Sequence, residues 1–324
     1  MSKAIFLFII GLVLLIKGGD WFVDGATGIA HRFHIPEILI GATVVSIGTT
    51  LPEVMVSATS AFKGQGDMAY GNSIGSIICN TALIAAITLS FKPSEIERKS
   101  LVLPVVFFFA VAGLYAVCAY VFGYFYRWIG LLLLVAFVVY MVLNVRQAKQ
   151  SMLSPTQRKV TEETEKESPL WLEILFLVLG AALIAFGADF LVDNGTIIAA
   201  KLGVPESVIA LTFIALGTSL PELVTAVTSL VKGHGALSLG NVVGANLFNL
   251  VLVSGLAVTL SPFAVPSATK IAGINTSLLI DIPVMFVVMG LLTLPALKKQ
   301  KLYRWQGITL LVIYAAFCTF QFVV

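Results

Sequence analysis

The chain has 324 residues, 58% of them hydrophobic and 11% charged, with a formal net charge of +3. A soluble domain carries about 25% charged residues, so this composition excludes an ordinary globular domain, and so small a charge points to no nucleic-acid partner. Cys79, Cys118 and Cys318 all fall in apolar stretches and read as buried free thiols, not a disulfide framework.

Apolar runs of the roughly 20 residues needed to cross a bilayer recur along the whole chain. They predict an all-α polytopic membrane protein with ten spans, at 4–30, 37–61, 69–90, 101–121, 126–146, 170–200, 206–230, 238–260, 274–296 and 303–323. The first run is too long, and too polar at its end, for a cleaved signal peptide. The polar stretch 147–169 contains Pro155 and Pro169 and has no apolar face. It reads as a solvated linker between a first five-span unit, 1–146, and a second, 170–324. Five is odd, so the second unit enters the membrane from the opposite side and the repeat is inverted. Fourteen Lys and Arg lie in loops on the linker's side and five on the other, with Lys17 inside a span. By the positive-inside rule the linker is cytoplasmic and both termini are external, in a plasma or inner membrane.

The two units share sequence. Residues 44–80, VVSIGTTLPEVMVSATSAFKGQGDMAYGNSIGSIICN, align without a gap to 213–249, FIALGTSLPELVTAVTSLVKGHGALSLGNVVGANLFN, and 14 of 37 positions are identical. The constant offset of 169 also relates Asp20 to Asp189, Asp24 to Asp193, Pro36 to Pro205 and Glu37 to Glu206. Each copy places a glutamate, Glu53 or Glu222, in an apolar span, where an ionisable group marks a functional site.

In GTTLPE (48–53) a helix puts Thr49, Thr50 and Glu53 on one face. Pro52 has no N–H, so the Gly48 carbonyl loses its usual partner. GTSLPE (217–222) repeats this with Thr218, Ser219, Glu222 and the Gly217 carbonyl. Hydroxyls, carboxylates and freed carbonyls are the hard oxygen donors that Ca²⁺ prefers, and Na⁺ also seeks oxygen. The plainer reading is a proline kink with a glutamate paired to some cation, but Lys17 is the one in-span base and is not duplicated.

In GNSIGSIICN (71–80), Asn72, Ser76 and Asn80 form a polar stripe; the second copy has Asn241, Ala245 and Asn249. Asn80 and Asn249 read as ion ligands, and Gly71, Gly75, Gly240 and Gly244 as packing residues. The four duplicated aspartates read as structural or interfacial. Lys63, Gly64, Gly66 and Lys232, Gly233, Gly235 read as tight turns. Asp281 has no duplicate.

The duplicated GT[ST]LPE helix, each followed by a GN–GS/A–N helix, resembles the α-repeats of the cation/Ca²⁺ antiporters, and most of all those of prokaryotic Na⁺/Ca²⁺ exchangers. The resemblance spans nearly the whole chain. It implies ten helices, external termini and alternating access at a central site, with the long first and sixth helices sliding past the rest. It also implies a ligand set of Glu53, Glu222, Thr49, Thr50, Thr218, Ser219, Ser76, Asn80 and Asn249, with backbone oxygens near Ser46 and Ala215. Of these, Glu53, Glu222, Thr49 and Thr218 would hold Ca²⁺. Two positions depart from the family pattern. Asn249 is an aspartate in K⁺-dependent members, so the amide argues against K⁺ dependence. Ala245 replaces a serine whose hydroxyl would serve one Na⁺, which bears on stoichiometry and on Na⁺ itself.

The sequence therefore predicts a secondary active antiporter carrying Ca²⁺ against Na⁺. Rival readings are an H⁺/Ca²⁺ antiporter and a passive cation channel with an acidic constriction. A membrane enzyme fits least, for lack of HExxH or a nucleophile–histidine pair. No cofactor, nucleic acid or obligate protein partner is indicated; the bilayer and the transported ions are the expected partners.

Overall fold

The computed structural model describes residues 2–93, 96–152, 169–202, 217–266, 270–271 and 273–323. Among these residues ten helices carry the fold: α1 (Ser2–Arg32), α2 (Glu37–Phe62), α3 (Gly66–Phe91), α4 (Arg98–Phe122), α5 (Arg127–Met152), α6 (Leu170–Lys201), α7 (Leu220–Val231), α8 (Gly235–Leu260), α9 (Ser277–Lys299) and α10 (Arg304–Val323). Among the described residues eight helices are long and apolar enough to cross a membrane, and α7 is a shorter apolar helix. Several depart from plain α-geometry through a π turn: α2 at Gly41–Val45, α3 at Asn80–Ala85, α8 at Asn249–Val253 and α9 at Ser277–Asp281.

The inversion is visible where α1 meets α6. A Cβ on Gly11 would come within 2.9 Å of the Gly187 carbonyl oxygen, and one on Gly18 within 2.9 Å of that of Gly180. Rising numbers on α1 thus meet falling numbers on α6, so the two helices are antiparallel. The contacts are also reciprocal, because Gly11 and Gly180, like Gly18 and Gly187, are repeat counterparts. Small residues let the backbones approach this closely, the usual basis of helix association in lipid. α2 and α8 also pack closely but run parallel, with Glu37 and His234 in contact at their N-terminal ends: a Cβ on Gly240 would meet the Ile38 carbonyl, and one on Gly244 the Ser46 Oγ and the Ala42 backbone.

α3 and α8 form the interior, with 72% and 83% of their apolar windows buried, against 28% for α1 and 22% for α6 at the periphery. Tyr115, Tyr140, Phe108, Phe125 and Phe248 fill the main apolar cluster. Two short antiparallel ribbons cap one face: β1 (Tyr124–Phe125) on β2 (Phe263–Ala264), and β3 (Lys270–Ile271) on β4 (Ile274–Asn275).

The loops sort onto two faces as the ten-span reading requires. Ile96 N–H donates to Gln300 O, Gln147 to Lys99 O and Arg32 to Glu173, joining loops on the linker's face. On the other face Val265 N–H donates to Gly123 O, and Arg127 Nε to Thr259 O.

Three boundaries differ from expectation. α5 runs on through Gln147 to Met152, because Arg146–Met152 holds no glycine or proline to stop it. His31 is part of the last turn of α1, not of a loop. Thr218 and Ser219 are in a turn before α7, not on a helix face like Thr49 and Thr50. Pro221 stands at the helix start, where its missing N–H leaves the Gly217 carbonyl without its i+4 donor, while the Ser219 carbonyl accepts from Leu223 N–H at 3.1 Å. Pro205, Glu206, Ala215 and linker residues 153–168 lie outside the described residues.

Candidate functional site

Glu53 sits on α2 and Glu222 on the first turn of α7, and both are fully buried. Among the described residues none of their four carboxylate oxygens has a hydrogen-bond partner. The two side chains lie close enough to repel one another. Thr49 and Thr50, from the first repeat, lie beside Glu222 of the second. The site therefore interlocks the two halves.

Asn80 and Asn249 each begin a π turn, Asn80 in α3 and Asn249 in α8. Both are fully buried, and among the described residues neither Oδ1 nor Nδ2 of either has a partner. A π turn widens the helix by one residue and is commonly found at functional sites. Thr50 Oγ1 and Ser219 Oγ are likewise buried and unpartnered. Ser76 is buried at 5% exposure. Removing a polar group from water without a partner costs a few kcal/mol, and far more for a carboxylate. These donors, drawn from α2, α3, α7 and α8, form a set that an oxygen-seeking cation would complete.

Other polar groups near them are already engaged. Ser46 Oγ donates to Gly41 O at 2.7 Å and to Asn241 O at 3.0 Å. Thr49 Oγ1 donates to Asn241 Oδ1 at 3.2 Å. Asn72 Nδ2 donates to Glu53 O at 3.1 Å and Ser57 Oγ at 2.8 Å, while its Oδ1 accepts from Thr218 at 3.5 Å. The repeat counterparts Asn72 and Asn241 are thus cross-struts. Asn72 ties α3 to α2 and to the start of α7; Asn241 ties α8 to α2. Ala215 lies outside the described residues, so its carbonyl is not placed.

Two residues escaped the sequence reading. Thr225, one turn beyond Glu222, is fully buried with its hydroxyl unpartnered. The E-x-x-T spacing within an apolar helix was the available signal. Cys79 lies against Ser219 and within Coulombic reach of Glu222, which its apolar neighbours concealed. Lys17 is exposed on α1, and Asp281 accepts from Gln321 Nε2 at 2.9 Å. Among the described residues no three His, Cys, Asp or Glu form a metal-holding group. The donor set is two carboxylates extended by neutral oxygens.

A ten-helix inverted repeat with buried charge at its centre defines a polytopic membrane transporter. The sequence profile of the family described as sodium/calcium exchanger protein matches residues 3–146 and 172–323, and the chain belongs to that family. The sodium/calcium exchanger MaX1 of Methanosarcina acetivorans is 31% identical over 349 residues, covering 98% of this chain and 97% of that protein. The inner membrane protein YrbG of Escherichia coli is 38% identical over 272 residues, 81% of each chain. The solved structure of the sodium-calcium exchanger NCX_Mj soaked with 100 mM Na⁺ and 10 mM Sr²⁺ superimposes with a TM-score of 0.79. It is 28% identical and covers 97% of this chain and 96% of its own. The protein is therefore a cation antiporter of the exchanger family and not an enzyme.

Proposed function

We propose that this chain moves Ca²⁺ against Na⁺ by alternating access at a site centred on Glu53 and Glu222. One observation carries the reading: two fully buried carboxylates, one from each repeat, have no partner among the described residues on any of their four oxygens. Their two negative charges match one Ca²⁺. Thr49 and Thr218 complete the Ca²⁺ shell, while Thr50, Ser219, Ser76, Asn80, Asn249 and the backbone oxygens of Ser46 and Ala215 extend the cage. Na⁺ entering the same oxygens takes the glutamates from Ca²⁺, so the two occupants exclude each other. Each occupancy then favours its own gate position by differential binding. The linker faces the cytoplasm and both termini the outside, on the distribution of Lys and Arg.

The name of the relative MaX1 supports Na⁺ coupling. One feature favours H⁺ instead: Ala245, fully buried on α8, offers no hydroxyl where its counterpart Ser76 does. Ca²⁺ uptake into vesicles of the purified protein, under separate Na⁺, H⁺ and K⁺ gradients, decides between them. Uptake driven by outward Na⁺ alone supports the proposal. Uptake driven by H⁺ alone replaces it with the proton reading, and uptake that needs no counter-ion gradient replaces it with a channel.

A further inference from the structure

The offset of 169 duplicates one more set of charges, away from the central site. Lys63 corresponds to Lys232, Asp20 to Asp189 and Asp24 to Asp193. The inversion sends the two sets to opposite faces, and the structure treats them differently.

On the linker's face the set is joined. Lys232 Nζ lies 2.7 Å from Asp24 Oδ1 and 3.5 Å from Asp20 Oδ1, and it donates to the Asp20 carbonyl at 3.0 Å. The seam between α1 and α7 beside it is shut: a Cβ on Gly19 would meet Val224 Cγ1 at 2.7 Å and Thr228 Oγ1 at 2.8 Å. On the other face the same set is apart. Lys63, Asp189 and Asp193 are exposed, and among the described residues none of them makes an ion pair. The equivalent seam, between α6 and α2, holds a cavity of about 780 Å³. Its walls include Asp189 and Asp193, and also Ala188 and Met55, the counterparts of Gly19 and Val224.

We infer that Lys232 with Asp20 and Asp24, and Lys63 with Asp189 and Asp193, are reciprocal ion-pair latches. Each closes the seam of its own face while the other stands open. The inference rests on the antiporter reading, because only a cycle that alternates faces would use both. Other polar ties exist on the closed face. His31 Nε2 lies 3.5 Å from Glu37, Glu37 also accepts from His234, and Arg32 pairs with Glu173. The counterparts of His31, His234 and Glu173 are Ala200, Gln65 and Ala4, so those ties have no mirror image. The lysine–aspartate set does. Its strength also suits a latch. The Lys232, Asp20 and Asp24 side chains are 25%, 37% and 51% exposed, and pairs this exposed shift an equilibrium by about fivefold or less. Such a contact biases the resting state and still breaks in every cycle.

The test reads both seams at once. Met55→Cys and Val224→Cys are made singly in a Cys318→Ser background and reconstituted, and an impermeant maleimide is applied to each face. The parent's labelling is subtracted. Lys232→Gln should raise Val224→Cys labelling from the linker's face by about two- to fivefold and lower Met55→Cys labelling from the other. Lys63→Gln should do the reverse, and Lys232→Arg, which keeps the charge, should leave the ratio unchanged. The exchange Asp24→Lys with Lys232→Asp should restore it. Labelling that moves the same way at both cysteines, or at neither, overturns the latch. If Lys232→Gln fails to fold, the Lys63→Gln and Lys232→Arg arms decide. Labelling needs no ion gradient, so reciprocal labelling in a protein that moves no Ca²⁺ would sink the Ca²⁺ reading and leave the latch, and alternation between faces, standing.

Discussion

Replacing Glu53 or Glu222 by glutamine keeps the shape of the side chain and removes one charge. With Ca²⁺ bound, the loss leaves the ion short of a counter-charge in a site closed to water. Removing one partner of a buried charge pair costs about 3–5 kcal/mol. At about 1.4 kcal/mol per tenfold, that weakens Ca²⁺ binding by a hundredfold to a thousandfold or more. Without ions the sign reverses. The two carboxylates are fully buried, unpartnered among the described residues and mutually repelling, so holding both charged without an ion is costly. Each single substitution relieves that strain. In chelator, Glu53→Gln and Glu222→Gln should therefore melt at or above the wild-type temperature. Wild type should gain stability from Ca²⁺, by about 2.7 kcal/mol at a hundredfold excess over Kd, and the variants should not. The assays are thermal melts with and without Ca²⁺ and Ca²⁺ flux in vesicles. Near-normal flux by a folded variant would remove that glutamate from the ion site. A variant that melts well below wild type in chelator would show the carboxylate to be part of the scaffold.

Other outcomes follow from the same geometry. Asn80→Ala and Asn249→Ala should each lower apparent ion affinity about tenfold, the scale of one lost charge-assisted contact, with little loss of stability, since neither amide has a protein partner; a large fall in melting temperature at unchanged affinity would refute this. Ala245→Ser should strengthen Na⁺ dependence and Ser76→Ala weaken it, read from Ca²⁺ flux against Na⁺ concentration at fixed pH; superimposed curves would exclude both positions from Na⁺ binding. Gly180→Val should destabilise the fold by about 1–3 kcal/mol through overpacking, because a Cβ there would lie 2.4 Å from Phe22 N; an unchanged melt would refute the close α1–α6 approach. A single cysteine at Thr161 should resist impermeant reagent in intact cells, and ready labelling would reverse the orientation.

Much of this architecture is legible in the sequence because membrane and repeat constraints are severe. Apolar length locates the helices, and an odd span count dictates the inversion. The duplicated glutamates mark the candidate site, since a carboxylate in an apolar helix is too costly to keep without a task. What stays hidden depends on packing. Asn72 and Asn80 share one stripe, yet the first is bonded to Glu53 O and Ser57 and the second to nothing. Spacing places both on one face and cannot say which of them a neighbour reaches. The π turns at Asn80 and Asn249 are invisible for a similar reason, since an extra residue in a turn leaves no mark in composition. The loop duplication Lys63/Lys232 reads as turn chemistry in the sequence, whereas the fold brings Lys232 to Asp20 and Asp24 on a helix distant along the chain.

The two copies of the motif fold differently. GTTLPE and GTSLPE differ by one hydroxylic residue for another, yet α2 runs unbroken from Ser46 through Pro52 to Phe62, whereas Thr218 and Ser219 leave the helix and α7 starts at Leu220. Nothing in six nearly identical residues encodes that difference. Both copies border the open cavity between α6 and α2, through Gly48, Leu51 and Pro52 on one side and Gly217, Thr218 and Pro221 on the other, and they differ in how their helices go on: α7 alone runs into a seam packed shut and tied by Lys232. A sequence that supports both conformations, at sites related by inversion, is what a two-state element requires. On the alternating-access proposal, the asymmetry belongs to the state of the molecule and the symmetry to its sequence, and moving between faces would exchange the conformations of the two copies.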